Sequence, residues 1–320
     1  MKTVVLDALS LGKDLDLSLF EEFGPVTIYD TTSPEETCKH LQDADFAVLN
    51  KVKLSAEVLA KAPRLKLICE SATGYDNIDI RFCKEHGIAV CNVRGYSTDC
   101  VAQLTVTMAL SLMTHLQSYG SYVQSGDYTA SGIPNRLIPV FHEIAGKTWG
   151  ILGYGNIGRQ VGKIATALGC RVLVTKRTPV EDAACVDLAR LCRESDILSI
   201  HTPLTNSTRN LLDRDHIALL KPTAVVINVA RGAITDEGAL AQAIKEHRIG
   251  GLGIDVYSVE PFPKTHPFYA IKEYDNVILT PHMAWGAYET RTRLLSEMAE
   301  NMRAFLEGKI RNRVDLFVQP

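Results

Sequence analysis

Trp149–Gly158 reads WGILGYGNIG. An apolar run feeds a turn in which Gly153, Gly155 and Gly158 stand in G-x-G-x-x-G spacing, and a helix-like run, Arg159–Leu168, follows at once. Gly153 permits the tight turn, Gly155 lets the backbone approach a pyrophosphate, and Gly158 lets the helix pack close to the strand, with its N-terminus aimed at the phosphates. The glycine spacing alone is a weak signal. The strand before it and the helix after it make it the opening of a dinucleotide-binding βαβ unit.

Downstream the same alternation continues. KTWGILG, RVLV, DILSI, TAVVINV, GLGID and NVILT are apolar runs closed by turns and mostly followed by helical spacing, the pattern of a doubly wound parallel sheet. Upstream, TVVLDA, VTIYD, FAVLN, KLICES and IAVCNV alternate with helix-like stretches such as Ser55–Lys61 and Ile80–His86, so a second α/β sheet is expected there. Between the two series a polar turn, Gly95–Asp99, leads into a helix over Cys100–Leu116, with Val101, Leu104, Met108 and Leu112 on one face. Residues 117–145 carry Gly120, Gly126, Gly132 and two prolines and read as irregular. A closing helix over Tyr288–Leu306 stops before Gly308.

The 320 residues exceed what one hydrophobic core organises well, which agrees with two domains. With 46% hydrophobic and 22% charged residues the composition is that of a globular protein, and no apolar run approaches a bilayer span, so no membrane partner is expected. The 34 basic and 37 acidic residues are spread along the chain, without the basic stripe that holds a phosphate backbone, so nucleic acid is not expected either. The opening MKTVVLDALSLGK has a short apolar stretch broken by Asp7, which reads as a first strand rather than a signal peptide and points to the cytoplasm. Eight cysteines without C-x-x-C pairs read as reduced structural thiols, with no metal site.

After the second strand of the dinucleotide unit, an acid about 20 residues past the glycines usually takes the adenosine ribose hydroxyls. Here the sequence is TKRT, with Lys176 in that place and Arg177 after it. Two cations cannot accept hydroxyl protons, but they pair with a 2′-phosphate, and Arg does so in a fork. Thr175 and Thr178 can add hydroxyl contacts. The turn favours NADP(H), with NAD(H) as the alternative.

Ligands of open α/β sheets bind outside the carboxyl ends of the strands. Arg231 follows VVINVA, Glu260 follows GLGIDVYSV and His282 follows NVILTP. A cation, a carboxylate and an imidazole at three strand ends suit reduction of a 2-oxo acid. Arg231 pairs with the substrate carboxylate, a nicotinamide delivers hydride to the carbonyl carbon, and His282 supplies a proton to the nascent alkoxide. Glu260, accepting from the other ring nitrogen, fixes the tautomer and favours imidazolium. Taken singly, each has an ordinary reading, as a cap, a surface charge or a loop histidine. His201, just after DILSI, falls near the dinucleotide, and the remaining histidines, His266 among them, read as surface or packing residues.

GYGNIG, SIHTPLTNSTRNLL, INVARGAITDEGAL, IDVYSVEP and LTPHMAW, in this order and spacing, together resemble the D-isomer-specific 2-hydroxyacid dehydrogenase family over essentially the whole chain. The resemblance implies a flavodoxin-like substrate-binding domain from residues 1–98 and 288–320 and a Rossmann domain from 99–287. It implies a catalytic triad of Arg231, Glu260 and His282. Backbone N–H groups near Thr73 and Gly74 would face the substrate carboxylate, and Tyr154, Asn156, Ile157, Thr202, Pro203, Val229, Ala230 and Asp255 would line the dinucleotide. It also implies a homodimer formed through the nucleotide-binding domain and involving the Cys100–Leu116 helix. LNKVKLSAEVL around Lys51, the SATGYDNID turn and Trp285 look most like the glycerate dehydrogenase or hydroxypyruvate reductase branch, which points to hydroxypyruvate or glyoxylate. A D-lactate or aromatic 2-oxo acid reductase differs in pocket volume alone. A reading of another class is a dinucleotide-sensing corepressor-like binding protein, since such relatives keep the same triad; the short stretch after Gly308 offers little room for partner motifs.

Overall fold

The β-branched and leucine-rich runs become strands, and the computed structural model describes them within residues 1–178 and 180–317. Pro179, next after TKRT in the sequence, and residues 318–320 lie outside the described residues. The chain forms two compact units, Met1–Ser97 with Gly286–Pro320, and Thr98–Trp285.

In the first unit β1 (Thr3–Val5), β2 (Val26–Ile28), β3 (Phe46–Leu49), β4 (Leu67–Glu70) and β5 (Ala89–Cys91) form a parallel sheet in the order β2-β1-β3-β4-β5. This is the flavodoxin-like order. All of these strands except the edge strand β2 are buried along their length, which is why they read as continuous apolar runs rather than alternating ones. The helix Tyr288–Leu306 returns to this unit. Leu294, Met298 and Met302, spaced by four, bury one stripe of it, and at its middle Met298 Sδ accepts the Ser71 hydroxyl at 3.2 Å.

The second unit holds β6 (Thr148–Leu152), β7 (Arg171–Thr175), β8 (Ala184–Cys185), β9 (Ile197–Ile200), β10 (Val225–Asn228), β11 (Gly251–Ile254) and β12 (Val277–Leu279), all parallel, in the order β12-β11-β10-β9-β6-β7-β8. The strand order reverses between β6 and β9, the switch point at which doubly wound sheets open a crevice. Alternate residues supply two cores, Val226 with Leu198 and Leu252 on one face, and Trp149, Ile151, Val225 and Ile227 on the other. Trp149 is fully enclosed, and its indole N–H is satisfied by Ser199 Oγ at 2.9 Å.

Three local expectations are corrected. The helix expected over Cys100–Leu116 runs over Thr98–Met113, and a new helix, Leu116–Gln124, starts after His115, whose backbone is left-handed (φ 51). Residues 117–145 are not wholly irregular, because Leu116–Gln124 and Asp127–Ser131 are helical. Two of the glycines mark helix ends rather than the absence of helices, since Gly126 and Gly132 flank the second helix in left-handed conformations, and Gly120 lies within the first. Neither short helix buries a residue, so no apolar stripe announced them. The helix after the glycine turn begins at Asn156, three residues earlier than expected, with Gly155 as its N-cap. Among the described residues no helix is long and apolar enough to cross a membrane.

Candidate active site

At the end of β6, Gly153 has φ +98, and a Cβ there would come within 2.5 Å of the Thr202 amide nitrogen after β9. A Cβ on Gly158 would lie 2.3 Å from the Gly153 carbonyl oxygen. At Gly155 a Cβ would meet nothing within 4 Å, so this part of the turn borders open space. Beside it, His201 donates its backbone N–H to Leu152 O at 2.7 Å, while both its ring nitrogens are enclosed without a protein partner. Burial pulls His201 down to about 3, so the ring is neutral and holds one donor and one acceptor unused. An open glycine cradle at a helix N-terminus, next to unspent polar atoms at the switch point, fits a dinucleotide.

The other residues expected along that ligand divide. Asn156 and Ile157 form the first turn of the helix, Thr202 and Pro203 follow His201, and Val229 and Ala230 follow β10. The Tyr154 ring is packed into the core against Gly162, which leaves its backbone for the turn. The Thr175 hydroxyl donates to Val186 O, just past β8, at 2.8 Å and is therefore spent within the fold rather than held for a ligand. Lys176 and Arg177 are exposed and have no hydrogen-bond or ion-pair partner among the described residues, so their charge is available to an anion.

Arg231, Glu260 and His282 follow β10, β11 and β12, which are consecutive neighbours in the sheet. Asn228, fully enclosed at the end of β10, clamps the Arg231 turn: its Oδ1 accepts from Ala230 N at 3.0 Å and its Nδ2 donates to Arg231 O at 2.9 Å. Arg231 Nη1 donates to Ala230 O at 2.8 Å. His282 Nδ1 lies 2.7 Å from Glu260 Oε2. An ionised carboxylate only accepts, so Nδ1 carries the proton, and proton exchange falls to Nε2. The two side chains are 23% and 29% exposed, enough for the pair to reach a solvent-borne substrate. His282 itself has φ 53, a left-handed backbone that a non-glycine residue keeps only where its surroundings impose it.

Asp255 is a large part of that imposition. It was expected along the dinucleotide; its side chain is fully enclosed and accepts from the Thr280 hydroxyl at 2.6 Å, Met283 N at 2.8 Å and Ala284 N at 2.9 Å, pinning the loop on both sides of His282. Burial raises the Asp255 carboxyl, and those three donors and the His282 charge oppose the rise. Trp285, next along, packs partly buried against the second unit's core. The role of Asn228 and Asp255 as clamps had no sequence signal beyond their place at strand ends.

In the first unit, Lys51 follows β3 and Thr73 and Gly74 follow β4. Asp7, after β1, accepts from the backbone of Asn50 at 3.0 Å and of Lys51 at 2.6 Å, and Asn77 Nδ2 reaches Val52 O at 3.0 Å and Glu70 Oε2 at 3.2 Å. The Lys51 loop is thus gripped by its N–H groups on one side and a carbonyl on the other. The Thr73 hydroxyl donates to Val93 O at 2.8 Å, so this side chain is engaged in the fold and its backbone is what remains for a ligand.

Glu70 is 1% exposed, and burial pushes its carboxyl well above 4.5, with Asn77 and Lys51 opposing. Above that value the unfolded chain loses a proton that the folded chain keeps, so folding stability falls by about 1.4 kcal/mol per pH unit until the folded carboxyl ionises. Glutamine cannot ionise. Glu70→Gln is therefore expected to gain on the natural protein in thermal midpoint as the pH rises from 5 to 8; a constant difference would show that Glu70 is already ionised in the fold.

The pattern described as "D-isomer specific 2-hydroxyacid dehydrogenase, NAD binding domain" matches residues 106–284. The chain is 37% identical to the glycerate dehydrogenase of Methylorubrum extorquens over 315 residues, covering 98% of this chain and 99% of that protein. It belongs to the D-isomer-specific 2-hydroxyacid dehydrogenase family. The hydroxypyruvate reductase of Blautia hydrogenotrophica is 34% identical over 327 residues, 98% of this dehydrogenase and 100% of the relative. Among solved structures, an acyclic imino acid reductase in complex with NADPH and D-Arg superposes with a TM-score of 0.85 at 30% identity, over 98% of this dehydrogenase and all of that chain. Membership makes the protein an enzyme of the 2-hydroxyacid dehydrogenase type whose NAD-binding domain serves a nicotinamide dinucleotide.

Proposed function

We propose that the protein reduces hydroxypyruvate or glyoxylate to the D-2-hydroxy acid at the expense of NADPH, in the cytoplasm and as a homodimer. The observation that carries this reading is the Glu260–His282 pair at 2.7 Å, one strand over from Arg231, in a chain whose relatives include a glycerate dehydrogenase and a hydroxypyruvate reductase. The Arg231 guanidinium holds the substrate carboxylate and orients the adjacent carbonyl. In the first unit Thr73 and Gly74 have backbone N–H groups suited to a carboxylate, and Lys51 there, like Trp285 in the second unit, is a candidate for substrate binding. The reduced nicotinamide, when bound, supplies a hydride to the carbonyl carbon. Protonated His282 gives the Nε2 proton to the carbonyl oxygen as it becomes a hydroxyl, while Glu260 keeps Nδ1–H in place and offsets the imidazolium charge. In the reverse direction neutral His282 takes that proton back. The homodimer is supported by exposed apolar residues gathered between Leu116 and Phe141 in the second unit, Leu137, Ile138 and Val140 among them, alongside the helix that begins at Thr98.

Initial rates with hydroxypyruvate and glyoxylate, each with NADPH and NADH, test the reading. NADPH is expected to be preferred, and the double variant Lys176→Ala, Arg177→Ala is expected to raise the KM for NADPH by about tenfold or more while leaving that for NADH nearly unchanged. A natural protein that prefers NADH would remove the 2′-phosphate assignment. Turnover of neither acid would remove the substrate assignment.

A further inference from the structure

We propose that Tyr257 is a positioning residue for the proton relay, closing Glu260, His282 and the Thr280 carbonyl into one hydrogen-bonded ring. The proposal rests on the reading of His282 as the group that exchanges the proton.

Tyr257 lies between the end of β11 and Glu260, and it reaches both arms of the pair. Its backbone N–H donates to Glu260 Oε1 at 3.0 Å, and its phenolic O–H donates to Thr280 O at 2.9 Å. The same Thr280 oxygen accepts the His282 backbone N–H at 3.0 Å. With Glu260 Oε2 on His282 Nδ1, four hydrogen bonds run in a circuit: Tyr257 N–H to Glu260, Glu260 to the imidazole, the His282 backbone to Thr280, and Thr280 to the Tyr257 hydroxyl. A carbonyl oxygen has two lone pairs, and these two donors use both. The ring encloses the one residue of the pair with a left-handed backbone, where an over-determined setting is needed.

The phenol is built to remain a donor. Its ring stands 4.6 Å from that of Phe262 and 6.3 Å from that of Phe268, and burial, then the carboxylates of Asp255, Glu260 and Glu237, push its ionisation upward. The loop carrying it is fixed from behind. Glu237, in the first turn of the helix Glu237–Lys245, accepts from Ser258 N at 2.9 Å and meets the Ser258 hydroxyl. His266, read from sequence as a surface or packing residue, is buried with its Nε2 3.0 Å from Glu237 Oε2. Its Nδ1 accepts Phe268 N at 3.2 Å, so Nε2 is the protonated nitrogen and donates to Glu237. A phenylalanine at 257 would keep the packing and the backbone bond to Glu260. What it lacks is the hydroxyl that joins the Glu260 arm to the His282 arm.

Tyr257→Phe in the full-length enzyme is expected to lower kcat about tenfold, the effect of one lost hydrogen bond felt in the proton-transfer step. The solvent deuterium isotope effect on kcat should rise, with the dinucleotide Kd, the KM for the 2-oxo acid and the thermal midpoint nearly unchanged. In proton NMR, the low-field imidazole resonance shared with Glu260 should exchange with water faster than in the natural protein, and Glu237→Ala, which loosens the same loop, should shift it the same way. Unchanged kcat and isotope effect, or an unchanged exchange rate, would overturn the proposal and leave Tyr257 a packing residue. If the natural protein reduced no 2-oxo acid, the underlying functional reading would fall. The exchange rate would then still decide the ring by itself, faster exchange upholding it and equal exchange overturning it.

Discussion

His282→Ala is expected to lower kcat for 2-oxo acid reduction by about 10²- to 10⁴-fold, the range attributable to a positioned general acid. On the proposed reading the loss should fall on the chemical step, because what is removed is the proton donor that Glu260 holds at 2.7 Å. On the same reading the dinucleotide rests instead on the glycine turn after β6 and the polar atoms after β9, so its affinity should stay within about twofold by the additivity of distant sites. Initial rates at saturating substrate and a fluorescence titration of the nicotinamide would measure the two quantities. Glu260→Gln is the informative companion: it can still accept from Nδ1 but supplies no charge to balance imidazolium, so it should fall between the natural protein and His282→Ala. Undiminished turnover in His282→Ala would place the proton donor elsewhere.

Gly232→Ala is expected to cost both stability and turnover. Gly232 follows Arg231 directly, and a Cβ there would stand 2.1 Å from the Tyr257 carbonyl carbon and 2.2 Å from Ser258 N. Both obstacles are backbone, so no side-chain rotation relieves the clash. The β10 and β11 arms must part, or the Tyr257–Glu260 loop must lift, and either movement separates Arg231 from the Glu260–His282 pair. Overpacking of this kind costs about 1–3 kcal/mol or somewhat more, which in a chain of this size lowers the thermal midpoint by several degrees. The kcat should drop by at least about tenfold, because a misplacement of around an ångström suffices to lose that much. Thermal unfolding and initial rates on the same preparation would test this. A variant as stable and as active as the natural protein would mean that the two arms do not meet backbone to backbone.

These two residues also mark how far the sequence could be read. The place of His282 past β12 was legible because it is a titratable residue directly after an apolar strand, and strand ends are where open parallel sheets bind ligands. Gly232 carried no signal of its own, since a close approach between two segments 25 residues apart is a property of the packed sheet. Tyr257 was invisible for the same reason: between Asp255 and Glu260 it reads as an ordinary aromatic after a strand, and the carbonyl it serves belongs to another strand's loop. The short helices within 117–145 were missed because neither buries a face, and the glycines that cap them are also loop signals. Thr175 was given a hydroxyl contact with the ligand, and the structure spends that hydroxyl on Val186 O, while the ring of Tyr154, expected to line the dinucleotide, packs in the core.

What the sequence determined by itself was the class of fold, the glycine turn between strand and helix, and the family. Each rests on local order: strands buried on both faces must read as apolar runs, a backbone that approaches a pyrophosphate must lack side chains, and motifs spaced along one chain can be compared without coordinates. Only the tertiary structure decided which polar groups touch. Asp255 on the His282 loop, Glu237 bonded to His266, and the ring through Tyr257 all join residues that lie more than twenty positions apart and that the packing of sheet and helices brings together. Hydrogen bonds act over about 3 Å and depend on direction, so no pattern read along the chain contains them.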